Sequence, residues 1–217
     1  MGLESVGHSS NERSRLRNES SENAERVLKS IRDSETYEEF DNITEMYRAL
    51  PSETLVVRRE NPEQLMHLVT TGEPLSLSFV GGQPYANSVV WNPKQDGTRG
   101  IDNAFLEGYG HLDGIVTVYG FRKPDDFYFE QLPESTQIFG GIERSRVRSA
   151  AGFVPKDAIR FITVRIPLRS FPRNLMTEEE LDLLWEYENE GKEGPAFVYR
   201  GFLTKDTEKA ADLPMAA

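Results

Sequence analysis

The sequence predicts an α+β fold in which N-terminal helices pack on a mixed or antiparallel β-sheet core, with one late acidic helix and flexible termini. Helical spacing of apolar residues dominates up to residue 72, and short β-rich runs dominate from 73 onward. The strands do not alternate regularly with helices, as they would in a doubly wound sheet. At 217 residues the chain fits one domain with tails. The predicted organisation is therefore a disordered arm (1–20), a single domain (21–203; helical at 21–72, sheet-rich at 73–203) and a flexible tail (204–217).

Capping residues and apolar spacing predict the helices. A short helix follows a Ser21 cap, and a second covers 34–50, where apolar residues recur every three to four positions. Asn61 is an N-cap followed directly by proline, which is a strong helix start. The late helix, 178–190, is strongly acidic, and Trp185 is expected to anchor its inner face.

Runs of β-branched and aromatic residues predict the strands. Residues 85–91 fit either a strand or a helix start. A short strand is expected after Glu143, an acid that follows a loop containing Gly140 and Gly141. The remaining predicted strands are 54–59, 74–80, 114–121, 127–132, 159–166 and 197–203.

The composition excludes several classes of function. Lys plus Arg total 25 against 36 Asp plus Glu, a formal charge of −11 that argues against a general nucleic-acid binder. A basic stripe between Arg144 and Arg169 is interpreted as solvated strand positions. The chain has no cysteine, so disulfides and cysteine-ligated zinc are excluded, and its three histidines lack metal spacing. No metal is expected.

Localisation is predicted from the absence of targeting signals. No apolar run approaches the roughly 20 residues of a membrane span, and the first residues lack the apolar core of a secretory signal. We therefore expect no membrane partner and a cytoplasmic protein at synthesis. Export by a specialised secretion machine and packaging in a virion stay open.

Three segments together resemble the ADP-ribosyltransferase fold of the arginine–serine–glutamate type, over roughly residues 54–166. TLVVRR contains Arg58, LSLS contains Ser76 and Ser78, and GGIE ends in Glu143. The resemblance implies that Arg58 holds the dinucleotide NAD as a substrate. It also implies that Ser76 and Ser78 shape the nicotinamide pocket and that Glu143 is the catalytic acid.

The chemistry of that reaction explains the residue types. Loss of nicotinamide leaves positive charge on the ribose, which a nearby carboxylate stabilises. A guanidinium fork clamps a phosphate more rigidly than a lysine does. The sequence departs from the family's paired acid, because Arg144 and Ser145 follow Glu143. Tyr47-Arg48-Ala49 is an alternative arginine strand, and His111-x-Asp113 is another candidate general base.

Two functions follow from these observations. The first is an NAD-dependent mono-ADP-ribosyltransferase-like protein that modifies a macromolecular acceptor. The second is a non-catalytic acidic interaction protein, such as a virion component, an immunity protein or an inhibitor, that binds a basic protein partner. The oligomeric state stays open.

Overall fold

The computed structural model of the protein describes residues 10–76, 79–80, 83–96, 114–122, 127–131, 138–139, 142–149, 153–190 and 196–205. The helices are α1 (Ser10–Arg32), α2 (Ile43–Ala49), α3 (Pro62–Thr71), α4 (Pro93–Asp96) and α5 (Glu178–Asn189). The strands are β1 (Tyr37–Phe40), β2 (Leu55–Glu60), β3 (Leu75–Ser76), β4 (Phe79–Val80), β5 (Gln83–Trp91), β6 (Val116–Arg122), β7 (Phe127–Gln131), β8 (Ile138–Phe139), β9 (Ile142–Ser149), β10 (Phe153–Val154), β11 (Ile159–Pro167) and β12 (Phe197–Thr204). The predicted α+β class is confirmed.

The main sheet has ten strands, with eight in the order β1-β12-β11-β6-β2-β5-β9-β7. The short strands β4 and β8 add to β5 and β9, and β3 pairs with β10 in a separate two-stranded sheet. All pairings in the described ranges are antiparallel. Strand β12, late in the chain, therefore lies between β11 and the early strand β1.

The two faces of the sheet carry separate cores, because successive strand residues point to opposite faces. On β2, Val56 belongs to a cluster with Tyr119 and with apolar residues of α1 and α3. We call this side the α1 face. Val57 belongs to a second cluster with Trp91 and the apolar residues of α2. We call that side the α2 face.

Capping explains where α3 and α5 begin. The Asn61 side chain accepts a hydrogen bond from the Glu63 N–H at 2.8 Å, and Gly72 ends α3 in the left-handed region with φ 76°. Thr177 and Glu180 form a capping box at the start of α5. These predicted helices and the predicted cap at Asn61 are confirmed.

The start of α1 corrects the prediction for residues 10–20. The helix begins at Ser10, so neither the Ser21 cap nor a disordered arm across these residues is right, and residues 1–9 lie outside the described ranges. Polar contacts replace apolar anchors here, because Arg15 pairs with Glu19 one turn later at 3.4 Å. Arg17 reaches Glu188 of α5 at 3.5 Å.

The predicted helix over 34–50 is also wrong in its first part. Tyr37–Phe40 is strand β1, which pairs with β12, and only Ile43–Ala49 is helical. The segment 21–72 therefore contains two strands rather than helices alone. Within the predicted strand 74–80, Leu75–Ser76 is β3 and Phe79–Val80 is β4, and the two have different partners. The ambiguous segment 85–91 belongs to β5.

The orientation of α5 overturns the predicted role of Trp185. Its side chain is 61% exposed, whereas Leu184 is the buried residue of the helix. Leu181, one turn before Trp185, is also exposed, at 39%.

Gly120→Ala is expected to destabilise the fold by about 1–3 kcal/mol through overpacking. A Cβ at Gly120 would overlap the ring of Phe161, which is fully buried in the core on the α2 face. Gly201→Ala is the matched control, because its Cβ would meet the Met46 Sδ atom at the end of a flexible side chain. Urea unfolding should show the smaller loss for Gly201→Ala; an equal or larger loss would contradict the packing argument.

Candidate functional site

Arg58 is a buried cation on the α1 face of strand β2. It is 8% exposed and lies opposite Tyr119 of β6 in the strand register. Its guanidinium carbon is 5.9 Å from the centre of the Tyr119 ring, and Nη2 is 3.3 Å from Glu60 Oε2. Glu60 follows two residues later on the same strand, so the pleat brings both side chains to one face.

Several polar atoms in this cluster lack a hydrogen-bond partner among the described residues. They are Arg58 Nε and Nη1, Glu60 Oε2 and the Tyr119 hydroxyl. Arg58 and Glu60 are thus close enough to form an ion pair, but the angle between the donor and the acceptor is not that of a hydrogen bond. Glu60 Oε1 does accept one, from the Asn61 N–H at 3.0 Å.

The hydroxyl of Tyr119 stays protonated and is therefore a hydrogen-bond donor in this cluster. Its side chain is 0% exposed. Burial raises the pKa of Tyr119 above its ordinary range, although the charge of Arg58 opposes the shift. Among the described residues, the protonated hydroxyl and the two guanidinium nitrogens are donors without acceptors, and a buried donor normally has one. An oxyanion such as phosphate or carboxylate would supply acceptors of the right kind.

Glu143 lies inside strand β9 rather than in the loop before a strand, so the expected boundary is wrong. Its side chain is outside the described part of the structure, but its register position is defined. Val57 lies opposite Val89 on β5, which lies opposite Arg144 on β9. Arg58 and Glu143 are each one residue from this row, and therefore occupy positions of the same sheet face.

The spacing between these two positions follows from sheet geometry. They lie two strands apart and two residues apart along the strand direction, which gives roughly 12 Å between their Cα atoms. The sheet therefore brings the register positions of Arg58 and Glu143 into one region without direct contact between their backbones.

Of the two predicted site serines, Ser76 is described, and it lies outside the main sheet. Ser76 is on β3, opposite Phe153 of β10, and Ser78 lies outside the described residues. Leu75, the neighbour of Ser76, packs in the same core cluster as Tyr119. The two-stranded sheet is thus on the α1 face, the face that carries Arg58.

The alternative arginine strand is not formed. Arg48 is in the last turn of α2 and is exposed, so Tyr47-Arg48-Ala49 is not a strand. His111 and Asp113 lie outside the described residues.

Three members of the basic stripe, Lys156, Arg160 and Arg165, make contacts within the fold. Arg160 Nε is 3.1 Å from Glu53 Oε1, and Lys156 Nζ donates to the Val69 carbonyl at 3.3 Å. Arg165 lies over the ring of Phe197 at 4.4 Å. Burial and the nearby charge of Arg165 lower the pKa of Arg59 on the α2 face. These side chains are not simply solvated strand positions, as the sequence had suggested.

Sequence reasoning missed Tyr119, Glu60 and a second buried arginine, Arg200. Arg200 is 2% exposed and forms a forked pair with Glu180, at 2.7 Å to Oε1 and 2.8 Å to Oε2. Its guanidinium also donates to the Leu175 carbonyl at 3.2 Å. Since its donors have acceptors, Arg200 fixes α5 to the sheet, in contrast to Arg58. The spacing of Arg58 and Glu60 on one strand was a signal for their contact.

The described ranges contain no group of three or more His, Cys, Asp or Glu side chains placed to hold a metal ion. Among the same residues, no helix combines the length and apolar character that crossing a bilayer requires.

The buried Arg58 cluster on an antiparallel sheet is thus the candidate site of this α+β chain. No protein-family model matches the chain, and neither the curated proteins nor the solved structures contain a match.

Proposed function

We propose that the chain is an ADP-ribosyltransferase-like protein that binds NAD at Arg58 and uses Glu143 in transfer. The observation that carries the proposal is a guanidinium only 8% exposed whose Nε and Nη1 have no acceptor in the described residues. A buried charge is costly unless it is paired and hydrogen-bonded. The phosphates of NAD are anionic acceptors of the type that a guanidinium binds best.

The register supports a role for Glu143 in the same region. A ligand held by a phosphate at Arg58 would extend along the sheet towards the position of Glu143, roughly 12 Å away by strand geometry. There a carboxylate would stabilise the positive charge that develops on the ribose. Nicotinamide leaves with the bonding electron pair, and the acceptor's nucleophile forms the new bond to the ribose and loses its proton.

NAD at a hundredfold excess over its dissociation constant is expected to stabilise the protein by about 2.7 kcal/mol. Arg58→Met should weaken NAD binding about tenfold or more, because charged hydrogen bonds are lost. Arg59→Met is the matched control, because it removes the charge of the neighbouring arginine, which lies on the opposite face of the sheet, the α2 face.

Glu143→Gln should keep the NAD thermal shift, keep the melting temperature within a few degrees, and abolish transfer of labelled ADP-ribose.

The absence of a thermal shift at saturating NAD would contradict this function. An equal loss of NAD binding in Arg58→Met and Arg59→Met would contradict the assignment of the site.

Non-catalytic binding of a basic protein partner is the second candidate function. The observation that favours it is the exposure of Trp185 on an acidic helix. This function requires neither NAD nor Glu143.

A further inference from the structure

Large apolar side chains are exposed mainly on one helix. Five in the described ranges are more than a third exposed, and three of them are on α5: Leu181 (39%), Leu183 (38%) and Trp185 (61%). The other two are Leu16 of α1 and Phe153 of β10. Single exposed apolar residues are ordinary, but Leu181 and Trp185 are four residues apart and lie next to each other on one side of α5, and an exposed tryptophan beside a second apolar residue is typical of interaction sites.

The same helix carries unbalanced negative charge. Its sequence EEELDLLWEYEN has no Lys or Arg. Glu180 is neutralised by Arg200, and Glu188 by Arg173. No ion pair is recorded in the described ranges for Glu178, Glu179 or Asp182. Positions 178, 182 and 185 lie on one side of a helix, so two carboxylates border the exposed indole.

The helix holds this surface in a fixed orientation. The capping box orders its first turn, and the fork from Arg200 ties Glu180 to strand β12. Arg17 of α1 contacts Glu188 near the other end at 3.5 Å. A binding surface that is already ordered loses less conformational entropy when a partner binds.

We propose that the α5 patch, formed by Glu178, Leu181, Asp182 and Trp185, docks a basic amphipathic helix of a partner protein. An apolar side chain of the partner would cover Trp185, and Lys or Arg residues on either side would face Glu178 and Asp182. Aromatic anchors give affinity, and complementary charges give orientation and speed of association. The chain's charge of −11 disfavours acidic partners, including nucleic acids. The inference develops the second candidate function and is independent of NAD.

The probe is a synthetic amphipathic helix of leucine and lysine, titrated into the full chain. Trp91 is 0% exposed, and the chain has only two tryptophans, so Trp185 reports the contact through its fluorescence. We expect saturable binding with a blue shift of the Trp185 emission. Oligolysine of equal charge should bind about tenfold or more weakly, because it has no apolar side chain.

Variants locate the binding site by anisotropy of the labelled peptide. Trp185→Ala, and the pair Glu178→Lys with Asp182→Lys, should each weaken binding about tenfold or more. Phe153→Ala is the matched control, because it removes an aromatic residue that is 41% exposed elsewhere, and it should bind like the unaltered chain. All of these residues are on the surface, so the substitutions should change stability little. Melting temperatures check that each variant is folded.

Failure of the peptide to bind would overturn the proposal, as would equal binding of oligolysine. Unchanged binding by the α5 variants would show that the α5 patch is not the docking site. The second candidate function would then involve a basic partner at another surface.

Discussion

Glu180→Leu is expected to destabilise the protein by about 3–5 kcal/mol, because it leaves a buried charge without its counterion. Arg200 is 2% exposed, and the nearest remaining carboxylate oxygen, Asp41 Oδ1, is 3.8 Å from its Nε on a side chain that is 77% exposed. The substitution also removes the Glu180 oxygen that accepts from the Thr177 N–H at 2.9 Å. Urea unfolding followed by circular dichroism measures the loss.

Arg200→Met is the informative comparison. It should cost less, because Glu180 is 20% exposed and can regain water. The double variant Arg200→Met/Glu180→Leu should recover part of the Glu180→Leu loss, since an apolar pair replaces a buried ion pair at little cost. A double variant no more stable than Glu180→Leu would show that the charge pair is not the cause.

The same pair gives the stability a defined pH dependence. Burial raises the pKa of Glu180, but hydrogen bonds from Arg200 and Thr177 outweigh it and lower the pKa below its ordinary value. A lowered pKa contributes stability that is complete above the unfolded value of about 4.3. That stability is lost as the pH falls through the folded pKa. The pH profile of Glu180→Leu should therefore be flatter below about pH 4 than that of the unaltered chain.

Trp91→Ala is expected to cost about 3–5 kcal/mol, the range for removing a fully buried aromatic residue. Trp91 is 0% exposed and meets the rings of Tyr47 and Phe161 edge to face, at 5.5 and 5.7 Å between centroids. The cavity would lie at the centre of the core on the α2 face.

Trp185→Ala is the matched control for this prediction. It removes the same side chain from a site that is 61% exposed, so the unfolding free energy should change by about 0.5 kcal/mol or less. Similar losses for the two substitutions would contradict the burial assigned to both tryptophans.

Features that depend on a few neighbouring residues could be predicted from the sequence. Asn61 with the following proline begins α3, Gly72 ends it, and Thr177 caps α5. Each works through hydrogen bonds within one helical turn, so no distant residue has to be known. The α+β class followed from the same local signals.

Features decided by distant partners could not be predicted. Tyr37 and Phe40 have helical spacing, yet they lie in a strand because β12 pairs with them. Their three-residue separation places them on opposite faces of the sheet rather than on one helix stripe. The orientation of α5 depends on Arg200, a residue of β12 that draws Glu180 inward and leaves Trp185 outside.

The residues of the candidate site also divide into those that the local sequence predicts and those that distant strands determine. Arg58 on a strand, with Glu60 two residues later, could be inferred from alternation alone. Tyr119 could not, because its place opposite Arg58 follows from the pairing of β2 with β6. The different partners of Leu75–Ser76 and Phe79–Val80 likewise depend on β10 and β5, which come later in the chain.

The position of β12 determines when the domain can be completed during translation. Tyr37 pairs with Thr204, 167 positions later. At about 5–20 residues per second, a ribosome needs on the order of 8–33 s to cover that interval. The nascent chain therefore exposes β1 without its hydrogen-bonding neighbour until the last described strand has left the exit tunnel. Closing so long a loop also slows folding after release.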